Sequence, residues 1–82
     1  AESPVAATMN RELAGRIDAA IDTLPEDLKV AVILRDVQGL SNQEAADTLD
    51  VSLSALKARL HRGRIALRDS LESYVAERAK AN

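Results

Sequence analysis

The stretch LSNQEAADTLDVSLSALKARLHRGR, residues 40–64, decides how this chain folds. Ser41 is followed three residues later by Glu44, which is the spacing of a capping box at the start of a helix. The helix that begins there is short, and we expect it to span about Asn42–Leu49. A longer helix follows after only a few residues. A short helix, a tight turn and a long helix together predict a helix-turn-helix.

The turn between the two helices has the residues that such a motif needs. Asp50 stands where a left-handed backbone is usual, and Asp tolerates that conformation better than most residues. Ser52 or Ser54 can cap the long helix. Ala46 is small enough for the helices to approach closely. The residues expected to hold the pair together are Leu49, Val51 and Leu56.

The long helix, expected from about Leu53 to Ala76, has two distinct faces at 100° per residue. One narrow stripe is the expected core seam, with Gly63 in its middle allowing close helix packing. It comprises Leu56, Leu60, Gly63, Leu67, Leu71 and Tyr74. The opposite side comprises Ser54, Lys57, Ala58, His61, Arg62, Ile65 and Arg68.

The outward face has the composition of a surface that enters the major groove of DNA. Lys57 and Arg62 offer cations for phosphates and, for Arg, forked donors for guanine edges. Ala58 is small and lets the helix come close to the bases, and His61 lies beside it. Ile65 is not explained by DNA contact and suggests a small patch for protein contact.

The two remaining cations of this segment lie beside the core seam. Arg59 and Arg64 are suited to contacts with the DNA backbone or to salt bridges within the domain. For Arg59 we favour pairing with an acidic residue such as Glu44, whereas Arg64 fits either role.

The rest of the chain predicts two further helices and no strand. Residues 1–8 read as a tail or linker, and residues 9–79 as one domain. The first helix should turn Leu13, Ile17, Ala20, Ile21 and Leu24 inward. The second should begin with Pro25 as its first residue, run to about Gln38 and end at Gly39. Its inward residues are expected to be Leu28, Ala31, Val32 and Val37. Residues 80–82 should fray.

Composition limits the function classes. The 82 residues are 46% hydrophobic but include no Phe or Trp, so a helical aliphatic core is expected. There is no Cys and only one His, so no metal site or cofactor is indicated. No nucleophile–base pair or phosphate-binding glycine loop is visible, so we expect no enzyme.

No apolar run is long enough to cross a membrane and no signal peptide is visible, which suggests a soluble, intracellular domain. The chain begins without Met and reads as part of a longer protein.

Charge is distributed unevenly along the chain. Residues 1–50 contain four Lys and Arg against ten Asp and Glu, a balance of −6. Residues 51–82 contain seven against three, a balance of +4, although the whole chain has a net charge of −2. A basic C-terminal part suggests a polyanion as partner, with a solvated charged helix as the alternative.

Residues 24–71 resemble region 4 of bacterial sigma factors, especially the extracytoplasmic-function (ECF) group. The parts that carry the resemblance are Leu24-Pro25, Gly39-Leu40-Ser41, Glu44 and Leu60-His61-Arg62-Gly63-Arg64. The sequence departs from the family pattern at Lys29, Asn42, Ala45 and Ala58, and Ser52-Leu53-Ser54-Ala55 replaces the usual Pro-x-Gly-Thr. These departures bear on promoter sequence and binding strength more than on the fold.

The resemblance implies a domain that binds the −35 element of promoter DNA and docks on the β flap of RNA polymerase in the cytoplasm. It also implies an anti-sigma factor as a further partner. By position, the base contacts would be Lys57, Ala58, His61 and Arg62. The DNA backbone contacts would be Ser41, Ser54, Ala55, Arg59 and Arg64.

Two alternatives stay open at this point. SNQEAADTLDVS also resembles LuxR-type regulators, although LHRGRIALRDSL suits sigma factors better. A sigma-like decoy that binds an anti-sigma factor and no promoter is compatible with the acidic first half.

Overall fold

The computed structural model describes residues 4–81, which form four helices and, within that range, no strand. The helices are α1 (Pro4–Asp22), α2 (Glu26–Val32, continued by a π-helical turn at Ile33–Val37), α3 (Asn42–Leu49) and α4 (Leu53–Ala81). The prediction of an all-α domain with a C-terminal helix-turn-helix and a long last helix is confirmed. The predicted bounds of α3 are confirmed as well.

A small aliphatic core holds α2, α3 and α1 against α4. Leu56 is fully buried and Leu60 is nearly so, as expected for members of the core seam. Val32 of α2 is 1% exposed and packs against this seam. The buried cluster comprises Ile21, Leu24, Leu28, Ala31, Val32, Ala45, Ala46, Leu56 and Leu60. Because every member is aliphatic, packing rather than aromatic contact determines the helix positions.

Gly63 allows the close approach of α2 and α4. A Cβ atom at this position would lie 2.8 Å from Cγ2 of Val32, and the same Cβ would be 3.8 Å from Leu28 Cβ. No side chain fits at 2.8 Å without movement of its neighbour. The predicted role of Gly63 in close packing is therefore confirmed.

Helix α2 differs from expectation at both ends. Pro25 precedes the helix as its N-cap, in an extended conformation, and is not the first helical residue. At the other end the helix widens into the π turn, where the amide of Gln38 donates to the carbonyl of Ile33 at 2.9 Å. Val37, expected in the core, is 64% exposed. It is the last residue of the π turn and is not part of the buried cluster.

The loop after the π turn reverses the chain toward α3. Gly39 has φ of +80°, which is the left-handed conformation expected of a glycine that ends a helix. The amide of Leu40 then donates to the carbonyl of Leu34 at 3.0 Å. Gly39 thus closes α2 and places Ser41 at the start of α3.

The first and last helices both extend further than predicted. Helix α1 includes Pro4, so residues 4–8 are not the expected tail, while residues 1–3 lie outside the described residues. Proline is compatible with the first turn of a helix because the amide it lacks has no helical partner there. Helix α4 continues past Ala76 to Ala81, so residues 80 and 81 are helical, and residue 82 lies outside the described residues.

Polar contacts join α1 to the last part of α4. The hydroxyl of Tyr74 donates to Oε2 of Glu12 at 3.2 Å, and Arg78 forms an ion pair with the same oxygen at 3.2 Å. Arg16 lies over the Tyr74 ring, 5.8 Å from its centre, and pairs with Glu77 at 3.6 Å. Leu13, expected to point inward, is 37% exposed because this end of the helix pair lies beyond the core.

Within residues 4–81, no helix combines the length and apolar character that crossing a membrane requires.

Candidate nucleic-acid interface

The start of α3 is fixed by the capping box that the sequence predicted. Oγ of Ser41 accepts a hydrogen bond from the amide of Glu44 at 3.1 Å. Oε1 of Glu44 accepts one from the amide of Ser41 at 2.9 Å. These hydrogen bonds stabilise the charged carboxylate and lower the pKa of Glu44. The first turn of α3 is therefore held by two reciprocal hydrogen bonds.

The turn of the helix-turn-helix is set by Asp50, the residue predicted to be left-handed. Its φ is 55° and its ψ is 48°. The amide of Val51 then donates to the carbonyl of Ala46 at 3.0 Å, which closes the end of α3. Ala46 is fully buried, as the expected close contact between the two helices requires. This geometry fixes the angle at which α4 leaves α3.

Ser52 is the residue that caps α4. Its Oγ accepts a hydrogen bond from the amide of Ala55 at 3.1 Å, so of the two serines offered by the sequence it fills this role. Ser54 is exposed in the first turn, with its hydroxyl 3.5 Å from that of Ser52. Because the cap occupies the Ala55 amide, that group is not free to bind a phosphate in this conformation.

The residues predicted to read bases are all exposed on one side of the first turns of α4. This set comprises Lys57, Ala58, His61 and Arg62. Among residues 4–81, neither Lys57 nor Arg62 makes a hydrogen bond or ion pair with another side chain. Their charged ends are thus available to an external anion. Leu56 and Leu60, buried on the opposite side, hold the helix in place.

Arg64 differs from these cations because it is held within the domain. Its Nε and Nη2 donate to the two carboxylate oxygens of Asp36 at 3.1 Å and 2.7 Å. This forked contact raises the pKa of Arg64. The pair joins the π turn to α4. Of the two roles that the sequence left open for Arg64, the structure shows the brace within the domain.

Arg59 does not make the contact that the sequence favoured. The carboxylate of Glu44 is bonded to Ser41 in the capping box and not to Arg59. Arg59 is half-buried, and its guanidinium has no ion-pair partner in the described part of the chain. The competing role, a contact with the DNA backbone, is therefore open to it.

Two residues beside the helix-turn-helix were missed by reasoning from sequence. Nε of Arg35 donates to Oδ1 of Asn42 at 2.8 Å, which ties the π turn to the start of α3. Asp36 was likewise not identified as the partner of Arg64. The sequence separation of the Asp36–Arg64 pair is 28 residues, so no local spacing signals it.

Comparison with known proteins agrees with this geometry. Residues 14–67 match the family described as sigma-70, region 4. The chain is 42% identical over 69 residues to the ECF RNA polymerase sigma factor SigE of Mycolicibacterium smegmatis, covering 84% of this chain and 27% of that protein. It is 32% identical over 76 residues to the RNA polymerase sigma-H factor of Pseudomonas aeruginosa, covering 93% of this chain and 39% of that protein.

A third relative is the ECF RNA polymerase sigma-E factor of Escherichia coli K12, which is 31% identical over 67 residues. That match covers 82% of this chain and 35% of the relative. In all three comparisons the chain spans well under half the length of the protein it matches.

Proposed function

Because the chain belongs to the sigma-70 region 4 family, we propose that it is the part of an ECF sigma factor that binds the −35 element of promoter DNA. The observation that carries this proposal is the exposed face of α4, where Lys57 and Arg62 have no partner within residues 4–81. Membership of this family decides against a LuxR-type regulator. The domain is not an enzyme, since its family consists of transcription initiation factors.

Four residues are assigned to the base edges. Arg62 is long and planar, and its forked donors suit the two acceptors of guanine in the major groove. Lys57, five residues earlier, is assigned to bases or the adjacent phosphates. Ala58 allows close approach and offers a methyl group for contact with thymine. His61 lies between Lys57 and Arg62 and can donate or accept a hydrogen bond according to its tautomer.

The DNA backbone contacts are assigned to the ends of the helices and to the flank of α4. The hydroxyls of Ser41 and Ser54 lie at the first turns of α3 and α4, where helix dipoles favour phosphate. Arg59, half-buried on the flank of α4, supplies a cation. The amide of Ala55 already donates to Oγ of Ser52. The assignment of Ala55 therefore rests only on its position in the first turn of α4. Arg64 would have to leave Asp36 to reach a phosphate, so its contribution in the bound state is secondary.

The partners follow from the family. The relatives are named as RNA polymerase sigma factors, and we propose that this chain acts with core RNA polymerase in the cytoplasm, docked on the β flap. An anti-sigma factor is proposed as a regulatory partner. Exposed apolar residues away from the DNA face, such as Val37, are compatible with protein contacts.

The test is binding of the chain to a −35-type duplex and to a scrambled duplex of the same composition, followed by fluorescence anisotropy. We expect weak but specific binding to the −35-type duplex. The measurement is repeated with the β flap present, because a domain normally positioned by polymerase can bind poorly alone. Equal affinity for both duplexes under both conditions would favour the decoy that binds only an anti-sigma factor.

A further inference from the structure

One stripe of exposed side chains runs along α4 from the DNA face to the far end of the helix. Its members are spaced by four, three, four, three and four residues, which is the heptad spacing of paired helices. The heptad stripe consists of His61, Ile65, Arg68, Glu72, Val75 and Ala79, all of them exposed. At 1.5 Å per residue, it is about 27 Å long.

No part of the described chain covers this stripe. The other helices pack on the side of α4 that contains Leu56 and Leu60. Val75 is 61% exposed and Ile65 is 37% exposed, and both are large apolar residues. A shallow groove of about 380 Å³ lies over the second half of the stripe, with Leu71 and Val75 in its walls. The apolar surface near the end of α4 thus has no partner among the described residues.

The residues of the stripe in one copy complement those of a second copy that runs in the opposite direction. If a second copy lies antiparallel, with the two-fold axis at the level of residue 70, Ile65 faces Val75 of the other copy. Arg68 then faces Glu72, and each of these contacts occurs twice by symmetry. A parallel pair would instead place Arg68 against Arg68 and Glu72 against Glu72, which repel. The charges therefore select the antiparallel arrangement.

Residues beside the stripe and at its ends also fit the antiparallel dimer. Leu71 lies beside the two-fold axis, so the two copies of this half-buried residue meet each other. At the end of the stripe, Ala79 is small and lies opposite His61. An interface of this kind thus combines apolar contacts with two pairs of opposite charge.

We propose that two copies of this chain associate antiparallel through the heptad stripe, and that this dimer and the DNA-bound state exclude each other. The exclusion follows because His61 lies in the stripe and Lys57 lies one turn away on the same side. The second part of the proposal, that the dimer excludes DNA, rests on the proposed function. The interface is short and contains charges at its centre, so the dimer is weak, with a Kd of about 10 μM to 1 mM.

Charge reversal tests the dimer without DNA. Sedimentation velocity over a concentration series should show a monomer–dimer equilibrium for the chain. Glu72→Arg and Arg68→Glu should each weaken it about tenfold or more, because each replaces two attractive pairs by two repulsive ones. An equimolar mixture of the two variants should form a heterodimer, since opposite charges face each other again. Circular dichroism confirms that each variant stays helical.

Ser73→Arg is the matched control, because it adds an Arg to an exposed position of α4 outside the stripe. It should leave the dimer unchanged. A chain that stays monomeric up to about 1 mM would overturn the dimer. So would single variants that dimerise as well as the original chain, or a mixture that fails to associate.

A second experiment adds the −35-type duplex to the dimer and tests the exclusion of DNA. Exclusion predicts complexes with one chain per duplex and a loss of dimer as duplex is added. A complex that contains the intact antiparallel dimer on DNA would overturn the exclusion. If no duplex binds the chain at all, the proposed function fails, whereas sedimentation alone still decides whether the dimer exists.

Discussion

Arg62 and Arg64 are two residues apart on α4, yet their surroundings differ. Arg64 is held by both oxygens of Asp36, whereas Arg62 has no side-chain partner among residues 4–81. A forked pair must be broken before Arg64 can bind another anion, and this cost does not apply to Arg62. Residue identity alone would have made the two equivalent.

Substitution of each arginine by alanine should separate the two roles. Arg62→Ala should weaken binding to the −35-type duplex by about 1–3 kcal/mol and relax the choice of base, because a forked base contact is lost. Arg64→Ala should change DNA affinity less. It should lower the free energy of unfolding by about 0.2–1 kcal/mol, as expected for a largely exposed pair. Duplex titrations and urea unfolding measure these effects, and equal losses of affinity would contradict the distinction.

Gly63 is a second residue whose environment decides its role. Glycine inside a helix costs about 1 kcal/mol relative to alanine. Here the missing Cβ leaves room for Cγ2 of Val32, which would otherwise be 2.8 Å away. Val32 is 1% exposed and has little room to move. Close packing of α2 on α4 thus offsets the poor helix propensity.

Gly63→Ala and Gly15→Ala should have opposite effects on stability. At Gly15 nothing lies within 4 Å of the added Cβ, so unfolding should become harder by about 1 kcal/mol. At Gly63 overpacking costs about 1–3 kcal/mol, which gives a net loss of up to about 2 kcal/mol after the gain in propensity. Urea unfolding measures both. In a Val32→Ala background the loss at Gly63 should shrink. Equal stabilisation by both variants would disprove the clash.

At the scale of elements, α3 depends on contacts at its first turn. The capping box joins Ser41 and Glu44, and Arg35 of the π turn donates to Asn42 beside it. An eight-residue helix is too short to be stable by itself. These contacts, together with burial of Ala45 and Ala46, hold it against α4.

The capping box should make stability depend on acid pH. The pKa of Glu44 is lowered in the folded chain by its bonds to Ser41. Its stabilising effect is therefore fully present above the unfolded pKa of about 4.3, and it is lost as pH falls through the lower folded pKa.

Glu44→Gln is the matched variant, because Gln keeps the capping hydrogen bond but has no charge to titrate. The stability advantage of the original chain over this variant should be constant near neutral pH and decline below about pH 4. Thermal unfolding across pH measures the difference. An advantage that grows on acidification would contradict the assigned direction of the pKa shift.

At the scale of the whole molecule, net charge is a poor guide to its partner. The chain has a net charge of −2, but residues 51–82 have a balance of +4. The face proposed to bind DNA is formed by α4, and the acidic residues of the first half include Glu12, Asp22 and Asp36, which pair with cations of the domain. DNA bound at the proposed face would meet the local surface charge of α4 and not the average charge of the chain.

Salt dependence should reveal this local charge. If about four to six phosphates are neutralised, log affinity should fall with log salt with a slope of about −3.6 to −5.4. Arg59→Ala should reduce the slope by about 1. Lys80→Ala, which removes a cation at the far end of α4, should leave it unchanged. Anisotropy titrations at several salt concentrations measure the slopes, and an equal change in both variants would show that net charge alone governs binding.

Local patterns were sufficient for much of the fold and for the face of α4 proposed to read DNA. The capping box at Ser41, the left-handed turn at Asp50 and the leucine seam of α4 depend on neighbours within about four residues along the chain. Such short spacings fix which side of α4 is buried and which is exposed. Separately, the resemblance of residues 24–71 to sigma factor region 4, noted from the sequence alone, was confirmed by comparison.

Only the tertiary structure decided which cations are committed within the domain. Asp36 reaches Arg64 from 28 positions away because the π turn and the packing of α2 on α4 bring them together. Arg59, expected to pair with Glu44, has no ion-pair partner among residues 4–81. Glu12 of α1 and Tyr74 of α4 are joined by a hydrogen bond across 62 positions that no local pattern signals. Contacts between distant residues form only once the helices have packed, so sequence spacing fixed the faces of the helices and packing fixed their partners.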